Sequence, residues 1–260
     1  MASEDVGVTL DGHVAVVEMR RPPNNFIDVD LIAGIATALE ELDREAECRS
    51  IVLAAEGKHF CAGGNLKQRL ETEARGEKFV PAARHPYKEA QRLVQTRKPI
   101  VAAVQGAAIG AGLGLAVVAD FRVTCKEARF AANFTTIGFA PGFGLTYTLP
   151  RLIGQQRARW MFMSGRRIPG DEAYAMGLAD RLVEQESVRA AALEMAAEIA
   201  KGGPLAIQAT RDMLNVDYIT AFRVATERES FAQNWLRETN DYREGVQAGS
   251  DRRDPIFTGT

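Results

Sequence analysis

Cysteine is scarce: Cys48, Cys61 and Cys125 are the only three, and their spacing suits neither a metal site nor a redox pair. They read as small buried residues in a reducing cytosol. No apolar run is long enough to cross a bilayer, so no membrane partner is expected. The opening residues Met1-Ala2-Ser3-Glu4-Asp5 are acidic and lack the hydrophobic stretch of a signal peptide, which makes a cytoplasmic location the expectation. An excess of one charge is also lacking. Against 34 acidic residues stand 32 basic ones, a formal −2, and nothing in that balance draws the chain to nucleic acid. Both common nucleotide fingerprints are missing: no G-x-G-x-x-G follows a strand, and no glycine loop ends in Lys-Ser/Thr. What remains, 260 residues with 46% hydrophobic and 25% charged content, fits one large globular domain or a domain with a helical extension.

Glycine is concentrated in one place. The apolar run Ile100 to Val104 reads as a buried strand, and Gly106, Gly110, Gly112 and Gly114 follow before the apolar Ala116-Val117-Val118-Ala119. One reading is steric: backbone passes close to something, or turns where a Cβ would clash. The other is chemical. A glycine turn opening a helix presents unpaired N–H groups reinforced by the helix dipole, which suits a phosphate or an oxyanion. A second turn has the same form. Strand Ile51 to Ala55 runs into Glu56-Gly57-Lys58-His59-Phe60-Cys61-Ala62-Gly63-Gly64-Asn65-Leu66. Two such turns could aim two N–H groups at one oxygen, the arrangement that polarises a thioester carbonyl and holds its enolate.

With these motifs the chain resembles the crotonase, or enoyl-CoA hydratase/isomerase, superfamily. The resemblance runs from Arg21-Pro22-Pro23-Asn24-Asn25, through Phe130 to Gly144 and Arg151-Leu152-Ile153-Gly154, to the tail Asp251-Arg252-Arg253-Asp254-Pro255-Ile256-Phe257. It implies an α/β fold, a crotonase-like spiral of β-β-α units, with a C-terminal helical trimerisation region. Residues 1–200 would form the acyl-CoA-binding core and residues 201–260 the oligomerisation helices of a homotrimer, often paired into a hexamer. It also implies an acyl-CoA substrate, with coenzyme A as part of that substrate and no separate cofactor or metal. The oxyanion N–H groups would come from Gly64 and Ala111. Asn25, Ala62, Asn65, Leu66, Phe134 and Gly142 would lie along the substrate. Asn65 stands where many members carry Asp, and a short polar residue there can cap the following helix.

The pattern along the chain agrees with alternating strands and helices. Val8 to Met19 reads as a hairpin turned by Asp11-Gly12, with His13 exposed beside it. Asp28 caps a helix whose Leu31, Ile35, Leu39 and Leu42 share a face. A helix is expected to start near Leu66; from Lys67 to Lys78 the chain is polar and reads as a weakly structured, mobile segment that in the resembled family covers the acyl pocket. A helix follows from about Lys88 to Gln95, with His85 and Tyr87 at its start as either surface residues or acyl contacts. Leu145 to Ile153 reads as helix, and Gly165 to Leu182 as a short helix and a return strand. Ser187 caps a helix to about Ala200, stopped by Gly202-Gly203-Pro204. From Leu205 the pattern is helical, with Val224, Phe231, Trp235, Tyr242 and Val246 along one stripe.

Hydration of a conjugated thioester needs one group to activate water and another to deliver a proton. The family uses two glutamates, and those positions align to Gly114 and Phe134. A further acid of some isomerases and hydrolases aligns to Gly142. None of the three can exchange a proton. Gly-Leu-Gly at 112–114 with an aromatic at 134 resembles aroyl-CoA dehalogenases, whose nucleophilic aspartate would fall at Gly142. Phe134, Phe139 and Phe143 suit a flat apolar acyl pocket, or plain core packing. Three chemistries stay open. A malonyl-type thioester could lose CO2 and take a proton from water, Tyr87, Tyr147 or His85. A base could come from Glu71, Glu73 or Glu77. Or the chain could bind acyl-CoA, or a partner, without catalysis. Membership alone does not choose among them.

Overall fold

The computed structural model describes residues 4–66, 68, 70, 71, 75 and 85–260. Two sheets organise them. The larger holds six strands in the order β1 (Val6–Asp11), β2 (Val14–Met19), β3 (Ser50–Ala55), β4 (Ile100–Val104), β6 (Phe121–Thr124) and β9 (Arg181–Leu182). Only β1 and β2 pair antiparallel; the remaining ladders of this sheet are parallel. Every residue of β3 and β4 is buried, as expected of parallel strands covered on both faces. The smaller sheet joins β5 (Ala107–Ile109), β7 (Arg129–Ala131) and β8 (Arg167–Pro169).

The hairpin forms with Asp11 paired to Val14, so the turn residues are Gly12 and His13, one position later than Asp-Gly predicts. Gly12 takes φ +54° there, and His13 Nδ1 lies 2.8 Å from the Glu47 carbonyl. Helix α1 (Val29–Arg44) starts at Asp28, whose carboxylate accepts the Leu31 N–H at 2.8 Å, and it buries Leu31, Ile35, Leu39 and Leu42 together. Helix α2 is Pro86–Leu93, two residues earlier than the pattern predicts. Proline is accommodated in a first turn, and His85 Nδ1 accepts the Tyr87 N–H at 3.1 Å. Ser187 precedes the helix Val188–Ala200 but makes no side-chain cap. A 3-10 turn over Gln185–Ser187 feeds the helix directly and already places Ser187 in helical backbone. Leu66 is helical, as the cap at Asn65 implies, and Gln68, Leu70 and Glu71 are helical where a weakly structured segment is predicted; Leu66 and Leu70 pack against the core. Glu73 and Glu77, and most of the predicted mobile segment, lie outside the described residues.

The C-terminal part is three helices, Pro204–Leu214, Tyr218–Leu236 and Asn240–Asp251, so the stripe from Val224 to Val246 does not run along one rod. Its halves differ. Tyr242 and Val246 are buried, whereas Phe231 is 76% and Trp235 58% exposed. Helix Tyr218–Leu236 instead turns Phe222, Ala225, Thr226, Glu229 and Gln233 toward the core. No helix among the described residues is long and apolar enough to cross a membrane. All three cysteines are buried and unpaired.

Candidate functional site

The two glycine turns meet. The Cys61 N–H donates to the Ala107 carbonyl at 2.8 Å, and the Ile109 N–H returns to the Cys61 carbonyl at 3.0 Å. Cys61 thereby bridges to Ala108 in parallel fashion, fastening the turn after β3 to β5. The contact is close enough to dictate sequence. A Cβ on Gly112 would lie 2.2 Å from the Cys61 carbonyl oxygen, a distance no side chain accepts. Gly110, at φ +56°, then reverses the chain into the helix Ala111–Val118. That helix is apolar on all sides and all but its first residue is buried, so its N-terminus is fixed by packing.

A third segment straps the first turn from below. Asn25, fully buried at φ +47°, accepts the Arg21 N–H at 2.9 Å and donates to the carbonyls of Glu56 and His59 at 2.9 and 2.8 Å. The Ala62 N–H donates to Asn24 and the Ile27 N–H to Gly63, both at 2.9 Å. Asn25 therefore holds the turn and is not among the cavity-lining residues. Asn65 accepts the Gln68 N–H at 3.2 Å and acts as the helix cap its chemistry allows.

Above these turns opens a cavity of about 190 Å³. Gly64 and Ala111 both line it, with Ala62 and Leu66 beside them. Neither the Gly64 nor the Ala111 N–H has a hydrogen-bond partner among the described residues. Two unpaired amides on one cavity, one of them at a helix N-terminus, can accept an oxygen that carries partial negative charge. Phe134, Phe139 and Phe143 line it as well, together with Ile137.

The space beside the positions where the family resemblance implies acids is filled. A Cβ on Gly114 would lie 2.6 Å from Phe143 Cβ, so the phenyl group stands where a glutamate stem would run. A Cβ on Gly142 would lie 1.9 Å from Tyr87 Oη and 2.6 Å from Gln233 Nε2. Phe134 is 7% exposed and itself forms the wall. Gly114 and Gly142 thus stand behind the cavity, each covered by a lining side chain.

His85 and Tyr87 line the cavity, whereas Tyr147 does not; it packs on Tyr218 at 5.5 Å with Arg151 over its ring. Glu71 is exposed and away from the lining. Gln233 and Arg237 line the cavity although nothing singled them out in the sequence. Their spacing of four on a helix that also buries Thr226 and Glu229 was the available signal, masked by the neighbouring aromatics. Gln233 Nε2 donates to the carbonyls of Ala140 and Pro141 at 3.0 and 3.2 Å, leaving Oε1 to accept the Tyr87 hydroxyl at 2.7 Å. The Glu229 carboxylate accepts the N–H groups of Gly144 and Thr146 at 2.7 and 2.9 Å and the Thr146 hydroxyl at 2.7 Å. One helix therefore fixes the whole loop from Ala140 to Thr146. Asp28 also lines the cavity, but its carboxylate is engaged by Arg21 at 2.6 Å and by the Leu31 N–H.

Paired turns, an all-apolar helix behind them and two sheets define a fold class that comparison identifies. Residues 9–260 match the profile of the enoyl-CoA hydratase/isomerase family, and the chain belongs to that family. It is 35% identical to an enoyl-CoA isomerase/hydratase of Zymoseptoria tritici, across 95% of this chain and 84% of that one. A carnitinyl-CoA dehydratase of Salmonella heidelberg is 29% identical over 99% of both chains. Among solved structures, an enoyl-CoA hydratase/isomerase from Pseudoalteromonas atlantica superposes with a TM-score of 0.86 at 26% identity, covering 98% of this chain and 100% of that one. A carnitinyl-CoA hydratase from Mycobacterium avium gives 0.86 at 28% identity, with coverage of 99% and 100%. The crotonase-like α/β fold expected from the sequence is the fold observed.

Proposed function

We propose that this protein acts on an acyl-CoA thioester, holding the thioester oxygen between the N–H groups of Gly64 and Ala111 as an enolate forms. The observation that carries this reading is a pair of amides that line one cavity and have no hydrogen-bond partner among the described residues. Relatives whose names specify enoyl-CoA and carnitinyl-CoA support the substrate class. Removing one oxyanion donor ordinarily costs about 2.7–4 kcal/mol of transition-state stabilisation, so two fixed amides supply a large part of such a catalyst.

The reaction differs from standard hydration. Phe143 fills the space beside Gly114, Phe134 forms wall, and the one carboxylate on the described lining, Asp28, is bound to Arg21. The described lining therefore offers no carboxylate outside an ion pair to activate water at the β-carbon, the role the family gives to glutamate. This favours, as a second reading, decarboxylation of a malonyl-type thioester. The electrons of the broken C–C bond pass into the enolate, CO2 leaves, and a proton arrives from water, His85 or Tyr87. The three lining phenylalanines keep an aromatic acyl group within reach. We further propose that residues 1–200 form the acyl-CoA-binding core of a homotrimer or hexamer. The exposed Phe231 and Trp235 on the C-terminal helices are suited to bury against another copy.

A panel of CoA thioesters followed by mass spectrometry tests these readings. Turnover of a malonyl-type or aroyl ester, with crotonyl-CoA hydrated slowly or not at all, is the expected result. Hydration of crotonyl-CoA at ordinary enzyme rates overturns the departure from hydratase chemistry. Failure of every CoA thioester to bind overturns the substrate class.

A further inference from the structure

Among the described residues, Asn25, Phe143 and Arg252 are the non-glycine residues with positive φ. Asparagine enters that region readily, and Arg252 caps the C-terminus of a helix. Phe143, at φ +62°, is a bulky residue in backbone that crowds its Cβ, beside Gly144, which takes the same conformation without cost at φ +72°. The surroundings hold it there. On one flank Glu229 accepts the Gly144 and Thr146 N–H groups, and on the other Gln233 donates to the Ala140 and Pro141 carbonyls. A strained residue held from both flanks in a cavity wall points to a use for its side chain.

The position of the ring shows that use. Phe143 is 1% exposed and lines the cavity, whereas Gly114, which it covers, is not among the lining residues. A Cβ on Gly114 would lie 2.6–2.8 Å from Phe143 Cβ, Cδ1 and Cγ. The Gly114 N–H donates to the Gly110 carbonyl at 3.1 Å, so the two glycines stand one turn apart at the start of the helix that carries Ala111. Over Gly110 lies the other ring: a Cβ there would be 3.9 Å from Phe134 Cε1 and Cζ. Two phenyl groups therefore occupy the space that a side-chain-free helix face leaves open next to the Ala111 amide.

Resting on the acyl-CoA reading above, we propose that Phe143 determines acyl-chain length, its ring filling the space over Gly114 into which a chain fixed at the Gly64 and Ala111 amides would otherwise extend. The site selects compact acyl groups over long fatty acyl ones. Glycine at position 143 would relax the backbone and open that space in one change.

Calorimetric titration with free CoA, butyryl-CoA and octanoyl-CoA tests the proposal in wild type, Phe143→Gly and the milder Phe143→Leu. Each methylene that finds an apolar site strengthens binding about threefold to fourfold. In wild type octanoyl-CoA is expected to bind no more tightly than butyryl-CoA, because the added carbons have no room. In Phe143→Gly octanoyl-CoA should bind about tenfold or more tightly than butyryl-CoA, with Phe143→Leu between the two and free CoA nearly unchanged in all three. Wild-type affinity that climbs from butyryl-CoA to octanoyl-CoA overturns the inference, whether or not Phe143→Gly folds. So does an octanoyl-to-butyryl ratio that stays at the wild-type value in a folded variant. If no CoA ester binds at all, the substrate class falls and the inference falls with it; esters that bind without responding to residue 143 remove the inference alone.

Discussion

Two parts of the cavity lining are built from different material. In one, Gly64 and Ala111 offer main-chain N–H groups, fixed by the Cys61 bridge, the Asn25 strap and a helix packed on all sides. In the other, Phe134, Phe143, Tyr87 and Gln233 offer side chains carried by a loop and two helices. The amide part tolerates any residue that leaves its backbone in place. The side-chain part is redefined by each substitution, and Gly114, Phe134 and Gly142 stand where the family resemblance implies acids. A fold can keep the group that stabilises charge and change the groups that move protons, which is why membership and reaction come apart.

The comparison is tested most strongly at Ala111. Ala111→Pro removes one N–H at a helix position where proline is otherwise well received. Turnover is expected to fall about 10²–10³-fold, with the melting temperature nearly unchanged. A variant with normal turnover would remove the amide part from the chemistry.

Restoring an acid in the side-chain part should fail. In Gly114→Glu the new Cβ meets Phe143 at 2.6 Å, and overpacking of this kind costs about 1–3 kcal/mol. Urea denaturation should show that loss, and crotonyl-CoA hydration should not appear. Hydration by this variant would mean that Phe143 yields and the wall is adaptable.

Asn25→Ala probes the strap. It leaves the Glu56 and His59 carbonyls without their donor, a loss of about 1–3 kcal/mol in unfolding free energy. The smallest effect concerns pH. Desolvation pushes the Glu229 carboxyl above its ordinary 4.5, against the pull of Thr146 and Gly144. The folded state thus holds this proton more tightly than the unfolded chain. The resulting stability is full below pH 4.5 and is lost as pH rises through the raised value. Wild type should lose stability relative to Glu229→Gln over that window in urea melts; parallel profiles would contradict the shift.

Much of the amide part was legible in the sequence because it depends on glycine and apolar runs. Gly110 and Gly112 stand where backbone must turn or touch, and Asp28 caps where its spacing says. Of the side-chain wall, the three phenylalanines at 134, 139 and 143 were legible as an apolar pocket, and Gly114 and Gly142 only as omissions. Which residues fill those spaces depends on contacts across long separations, such as Tyr87 with Gln233. The C-terminal helix shows the same limit. Its aromatic stripe suggests the buried face, yet Glu229 and Gln233 turn inward because a loop far away in sequence needs their hydrogen bonds.

The most direct measurement is a crystal structure with a non-reactive thioester analogue of acyl-CoA bound. The nitrogens of Gly64 and Ala111 should both lie about 2.7–3.1 Å from the carbonyl oxygen of the analogue. An oxygen bound to only one of them, or seated elsewhere in the cavity, would contradict the central claim.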